Sequence, residues 1–233
     1  MNVTVIIPAL NEAGCIADLV REVQAQPVAQ IIVVDNGSTD STGTEAQGAG
    51  AFVVDEPRRG YGYACAAGVA AAGDADVLVF LDGDYSSLPG EMPVLLAPLR
   101  DVGADLVLGS RELGHIAPGA MLPHQRFGNW LASRLMGRLY GVRVTDLGPY
   151  RAIRRDLLLA MDMVEMTFGW PTEMTVKAAR HQARIVEVPV SWHPRRAGQS
   201  KVSGTLRGTV LAAYYILGTT LRYARWRPEA PEP

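Results

Sequence analysis

Val77-Leu78-Val79-Phe80-Leu81-Asp82-Gly83-Asp84 is the stretch on which the fold turns. Its first five residues are apolar without interruption. Continuous rather than alternating hydrophobicity describes a strand buried on both faces, as in a parallel sheet covered by helices. Val3–Ile7, Ile31–Val34 and Leu106–Leu108 repeat the pattern. Helical stretches separate these runs. Asn11 can cap a helix that lasts to about Gln26, where Pro27 stops it. Ser38, Thr39 or Asp40 can cap a second, closing near Gly48 and Gly50; a third spans about Tyr63 to Ala72 and a fourth Pro89 to about Val102. Strand–helix alternation at this spacing predicts an open α/β sheet with right-handed crossovers. Ligands of such sheets bind beyond the carboxyl ends of the strands, which is where Asp82 and Asp84 fall. Two carboxylates at i and i+2 can hold a hard divalent cation and leave positions for water and phosphate oxygens. An Asp-Gly pair equally suits a plain turn.

The chain has 233 residues, 48% hydrophobic and 20% charged. It is long enough for a substantial core, and the composition excludes disordered, collagenous and disulfide-scaffold proteins. Two cysteines, Cys15 and Cys65, suit a reducing compartment, and Cys65 lies among alanines as a core residue. The N-terminus lacks the basic region of a signal peptide, so a cytoplasmic location is expected. Net charge is −2 but unevenly spread: residues 1–187 carry −7, residues 188–228 carry +7 with no acidic side chain. A basic segment on an acidic body points to phosphate or to a membrane surface, on whose inner face the protein would then sit. A pI near 6.1 without any nucleic-acid motif argues against nucleic acid.

Beyond Arg111 the pattern loosens. Residues 112–122 read as a flexible loop and Pro123 to Tyr140 as a helix. A short strand near Val142–Thr145, a helix around Thr172–His181 and a strand Arg184–Val190 are expected next. Residues 193–204 form a polar, glycine-containing loop before a last helix from about Thr205 to Arg227, and a disordered tail over 228–233. The uncharged run Gly208–Leu221 is 14 residues, short of the roughly 20 a spanning helix needs. It suits either a buried helix or one lying at a membrane interface with Arg222, Arg225 and Arg227 near lipid phosphates. The four histidines show no metal-ligand spacing. Arg59-Gly60-Tyr61-Gly62-Tyr63 lets backbone approach a ligand, but Cys65 stands where a dinucleotide fingerprint needs glycine.

In order along the chain come VIIPALNE, VVDNGSTDST, RGYGYACAAG, VFLDGDYSSLP, LVLGSR, TDLGPYRAI, PTEMTVKA, EVPVSW and RRAGQSKVSG, covering roughly residues 3–204. Together they resemble family 2 glycosyltransferases of the GT-A fold, and among these the dolichol- or polyprenyl-phosphate mannosyl- and glucosyltransferases. The resemblance implies a GT-A catalytic domain over 1–204, a mostly parallel sheet with helices on both faces. It implies a donor pocket of Pro8, Leu10, Glu12, Asp35, Asn36, Asp82 and Gly83, and Asp82 and Asp84 as a DxD motif for Mg²⁺ or Mn²⁺. Arg111, Arg126, Arg195, Arg196, Ser200 and Lys201 would contact phosphates of donor or acceptor, work that suits guanidinium forks. Asp146 and Glu173 are the acidic residues left over in these motifs, and either can be a general base or merely orient its neighbours.

The implied activity is inverting transfer of a sugar from a nucleotide diphosphate sugar, of the UDP-glucose or GDP-mannose type, to polyprenyl phosphate. A soluble or glycan hydroxyl acceptor is the alternative, and a non-catalytic nucleotide-sugar binding protein a further one. Peripheral membrane contact through residues 195–227 and a homodimer through the last helix are compatible with the sequence. Two departures stand out: Ser86 occupies the position where some lipid-phosphate mannosyltransferases place a glutamine ligand, and Leu10 replaces the usual tyrosine.

Overall fold

The computed structural model describes residues 1–197 and 206–226, with residues 206–210, 212 and 213 described as backbone only. Seven strands form one mixed sheet: β1 (Val3–Ala9), β2 (Gln30–Asp35), β3 (Phe52–Asp55), β4 (Val77–Phe80), β5 (Leu106–Ile116), β6 (Arg151–Arg154) and β7 (Ile185–Trp192). Their order is β3-β2-β1-β4-β6-β5-β7, parallel except for β6, which runs antiparallel to both neighbours. The helices are α1 (Ile16–Gln24), α2 (Thr42–Gly48), α3 (Tyr61–Ala71), α4 (Met92–Asp101), α5 (Pro123–Tyr140), α6 (Arg155–Ala160), α7 (Trp170–Arg180) and α8 (Leu206–Arg222). This is the α/β, GT-A-like architecture that the strand pattern and the family resemblance imply.

Alternate residues of the strands feed two cores, one on each face. Val3, Val5 and Ile7 of β1 pack on one side with Ile16, Leu19, Leu95 and Leu99 of α1 and α4. Ile6 packs on the other with Ala64 and Cys65 of α3, Met136 of α5 and Trp170 of α7. Cys65 is fully buried, as its alanine-rich surroundings imply. Gly68 lets α3 settle on the sheet, because a Cβ there would lie 2.4 Å from the Ile6 side chain.

Several local expectations are corrected. Residues 142–145 are loop, and the strand that crosses the sheet there is β6, nine residues later. Its Arg151 and Arg154 interrupt the apolar run, which hid it. Residues 112–116 are not a loop: β5 continues to Ile116 and pairs with β7 across an irregularity between Ser110 and His115. β3 and α6 are short elements, of four and six residues, beyond those the sequence pattern marks. Asn11 does not cap α1, which starts at Ile16; it adopts a positive φ of 54° before the helix. Residues 38–40 likewise precede α2, whose N-cap is Ser41. α5 runs from Pro123 to Tyr140 as expected, and Gly141 ends it in the left-handed conformation at φ 70°.

Candidate functional site

The carboxyl ends of β1, β2 and β4 converge. A Cβ on Gly83 would stand 3.1 Å from the Pro8 carbonyl oxygen and 3.3 Å from Ala9, so glycine lets the Asp82–Asp84 turn close on the end of β1 without crowding it. Half-buried Leu10 continues from that end. The loops after β1 and β2 are laced together. Asn11 N–H donates to Ser38 Oγ at 2.9 Å, Thr39 N–H to Asn11 Oδ1 at 2.8 Å, and Glu12 N–H to Thr42 Oγ1 at 2.8 Å. Asp35, the last residue of β2, accepts from Ser38 N–H at 2.7 Å. Asn36 is buried with its amide committed: Nδ2 donates to the Glu56 and Arg58 carbonyls at 2.9 and 2.7 Å, and Oδ1 accepts from Gly60 N–H at 3.0 Å. It positions the 56–60 loop beside Asp35.

Asp82 Oδ1 accepts from the Tyr61 hydroxyl at 3.1 Å. Asp84 Oδ1 accepts from Ser86 N–H at 3.0 Å and from the Ser86 hydroxyl. Ser86 thus fixes the Asp84 carboxylate instead of adding a carbonyl ligand. Burial, and after it the charge of Asp84, pushes the Asp82 carboxyl up to about 7. The oxygens of this pair are the hard donors that Mg²⁺ or Mn²⁺ prefers. Among the described residues no group of three His, Cys, Asp or Glu side chains could hold a metal ion. Two carboxylates at i and i+2 leave a cation positions for phosphate oxygens and water.

The segment after β7 crosses this turn. His193 N–H donates to the Ser86 carbonyl at 2.8 Å and Arg196 N–H to the Asp84 carbonyl at 3.2 Å. Arg195 bridges two acids: Nη1 meets Asp84 Oδ2 at 3.0 Å, and Nη2 meets Glu12 Oε1. The Arg196 guanidinium stacks 4.0 Å from the centre of the Tyr85 ring. Ser200 and Lys201 lie outside the described residues.

On the other flank, Arg111 sits in the irregular stretch of β5, where a break in register re-aims side chains. It grips Asp146 with Nε at 2.7 Å, Nη2 at 2.6 Å and its own N–H at 2.8 Å. Its guanidinium lies 4.8 Å from the Trp192 ring centre. Asp146 is fully buried. Arg126 of α5 pairs with Glu112 at 2.9 Å, at the mouth of a groove of about 940 Å³ that also reaches Thr145. Glu173 lies elsewhere: it is fully buried in α7 and accepts from Val164 N–H at 3.1 Å, Glu165 N–H at 2.7 Å, the Tyr223 hydroxyl at 2.5 Å and Lys177 Nζ at 2.9 Å. It acts at one remove, because the 165–166 backbone it holds lies on Gly60 and Gly62, where a Cβ would meet carbonyl oxygens at 2.4 and 2.3 Å.

Sequence reasoning gave no role to Tyr61, Trp192 or Arg151. The first two stand inside the motifs RGYGYACAAG and EVPVSW. Arg151 is fully buried opposite Phe80 in the sheet and donates to the Gly148 and Pro171 carbonyls. Burial draws it down to about 10, so it keeps its charge at neutral pH.

The model of glycosyl transferase family 2 matches residues 4–160. The chain belongs to glycosyltransferase family 2. It is a nucleotide-sugar glycosyltransferase. Over 211 residues it is 42% identical to an uncharacterized glycosyltransferase of Mycobacterium tuberculosis, covering 90% of this chain and 94% of that one. It is 35% identical to the undecaprenyl-phosphate mannosyltransferase of Micrococcus luteus, over 97% of this chain and 96% of the relative. It is 32% identical to the polyprenol monophosphomannose synthase of Mycolicibacterium smegmatis, over 86% and 81%. In fold, the glycosyltransferase is similar to glucosyl-3-phosphoglycerate synthase of Mycobacterium tuberculosis, solved with Mn²⁺, uridine diphosphate and phosphoglyceric acid. The TM-score is 0.78 at 24% identity, over 98% of this chain and 80% of that one. No helix among the described residues is long and apolar enough to cross a membrane.

Proposed function

We propose that this glycosyltransferase transfers a sugar, with inversion, from a nucleoside diphosphate sugar to polyprenyl phosphate. The observation that carries the choice of acceptor is the state of Asp146 and Glu173. Each is fully buried, and each has its oxygens engaged by a cation and by N–H donors. A hydroxyl acceptor needs a general base at the reacting oxygen, and neither carboxylate is placed to serve. A phosphate monoester is already an anionic nucleophile and needs none. The names of the Micrococcus and Mycolicibacterium relatives point the same way.

In this reading Pro8, Leu10, Glu12 and Asp35 line the nucleoside pocket, with Asn36 holding its floor. Asp82 and Asp84 would hold Mg²⁺ or Mn²⁺, which neutralises charge developing on the diphosphate leaving group. Arg195 and Arg196, carried across Asp84 by the segment after β7, follow the diphosphate and exclude water from it. Arg111, held rigid between Asp146 and Trp192, offers its remaining surface to the acceptor phosphate. Arg126 stands at the groove mouth, and the basic segment 195–227 approaches the membrane.

Calorimetric titration of UDP, GDP, UDP-glucose and GDP-mannose, with Mn²⁺ and with EDTA, tests the donor half: one nucleotide binds, and only with metal. An acceptor comparison tests the other half. Label from the donor is expected in polyprenyl phosphate; transfer only to a soluble or glycan hydroxyl acceptor, abolished in a folded Asp146→Asn variant, would favour the hydroxyl substrate instead.

A further inference from the structure

We propose that Tyr61 selects the cation of this site. By holding one oxygen of Asp82 it leaves a single oxygen of that carboxylate for a small octahedral ion, and so disfavours Ca²⁺. The inference rests on the reading of Asp82 and Asp84 as the cation ligands, and it adds a residue outside that pair.

The carboxylate oxygens can be followed one at a time. Asp84 Oδ1 is taken by the Ser86 N–H and hydroxyl, and Asp84 Oδ2 by Arg195. Asp82 Oδ1 accepts from the Tyr61 hydroxyl at 3.1 Å. Asp82 Oδ2 has no hydrogen-bond partner among the described residues. A phenol keeps its proton at neutral pH, so the hydroxyl is the donor in this bond and Oδ1 stays occupied. Asp82 then meets a cation through Oδ2 alone.

Tyr61 is built not to give way. It is the first residue of α3 and stands between two glycines pressed on the 165–166 backbone. A Cβ on Gly60 would lie 2.4 Å from the Met166 carbonyl oxygen, and one on Gly62 2.3 Å from that of Glu165. Tyr63 N–H donates to the same Met166 carbonyl at 3.3 Å. Glu173 holds this backbone in turn, accepting from Glu165 N–H at 2.7 Å. The Tyr61 ring packs on the core that contains Ala64 and Cys65. The hydroxyl is therefore carried on a fixed frame, as a partner that orients a metal-binding carboxylate must be.

An occupied Oδ1 has a chemical consequence. Ca²⁺ takes many oxygens in a flexible shell and accepts both oxygens of one carboxylate, whereas Mg²⁺ demands a near-octahedral set and keeps several waters. Mn²⁺ shares with Mg²⁺ the preference for carboxylate and water in an octahedron. A carboxylate with one oxygen tied down suits these two. Without the hydroxyl, Asp82 is free to turn both oxygens toward the cation. The small ion then loses a fixed ligand, and Ca²⁺ loses nothing.

The test is Mn²⁺ binding to the full chain without nucleotide, followed by paramagnetic resonance, with Ca²⁺ affinity read from displacement of Mn²⁺. Tyr61→Phe keeps the ring and removes only the hydroxyl, so circular dichroism and melting temperature should stay near wild type. Mn²⁺ binding is expected to weaken by about tenfold, the usual cost of losing a partner that orients a ligand. Ca²⁺ affinity should stay within about threefold of wild type, so the preference for Mn²⁺ falls. A bystander hydroxyl would leave both affinities unchanged, and a merely structural one would lower both together; either result overturns the proposal. Mn²⁺ that binds Asp84→Asn as well as wild type, or binds neither, would instead strike the cation site itself and this proposal with it.

Discussion

Arg195 and Asp84, 111 residues apart in sequence, meet at 3.0 Å. The same guanidinium reaches Glu12, so one cation joins the loops after β1, β4 and β7. It stands against the carboxylate expected to hold the metal, and cation and arginine compete for it. Arg195→Ala should therefore tighten Mn²⁺ binding in the absence of nucleotide by about tenfold, the size of one modest ion pair. It should also lower turnover by roughly 10- to 100-fold, through loss of a charge-assisted contact to the diphosphate. Manganese paramagnetic resonance titration and steady-state kinetics measure the two effects. Unchanged metal affinity would show that Arg195 does not guard the site.

Asp84→Asn should abolish metal-dependent donor binding and leave the melting temperature within a few degrees of wild type, since the residue lies at a strand end and not in either core. Calorimetry with UDP or GDP and Mn²⁺ reads it. Retained metal-dependent binding would remove Asp84 from the cation site.

Asp82 gives a pH dependence. Its carboxyl sits at about 7 in the folded protein, against about 4 when unfolded. Its contribution to stability is complete below about pH 4 and is lost as pH rises to about 7, because over that range the unfolded chain releases the proton first. In EDTA, Asp82→Asn should thus melt higher than wild type at pH 8, by up to roughly 4 kcal/mol or on the order of 10 °C for a chain this size. The gain should vanish at pH 4. Scanning calorimetry at the two pH values decides; a variant less stable at pH 8 would contradict the assignment.

Glu173→Gln should act on stability rather than chemistry. The change leaves Lys177, which is 3% exposed, without its carboxylate, and breaking a buried pair costs about 3–5 kcal/mol. The melting temperature should fall by roughly 10 °C, while kcat of the folded protein stays within about threefold of wild type. A loss of two orders of magnitude in kcat at unchanged stability would make Glu173 catalytic after all.

Much of this was legible in the sequence. The strands β1, β2 and β4 announce themselves because both faces are buried, and α5 is expected from Pro123 to Tyr140, where it lies. β6 is obscured by two arginines that the fold pairs with backbone carbonyls. The extension of β5 beyond Arg111 is hidden because its pairing resumes only after a break in register. At the site, the motifs place Asp82, Asp84, Glu12 and Asp35 together. What a linear pattern cannot carry is which side chains are already spent: Asn36 on the 56–60 loop, Asp146 on Arg111, Glu173 on Lys177 and Tyr223. The aromatic supports Tyr61 and Trp192 are invisible for the same reason, since their meaning is a contact across the sheet.

The most direct test is transfer itself. Purified protein in detergent receives polyprenyl phosphate, Mn²⁺ and radiolabelled UDP-glucose or GDP-mannose, and label is followed into the organic phase. The account predicts a metal-dependent, acid-labile polyprenyl-phosphate sugar from one of the two donors, absent with Asp84→Asn. Label that enters only a soluble hydroxyl acceptor, with none in lipid from either donor, would contradict it.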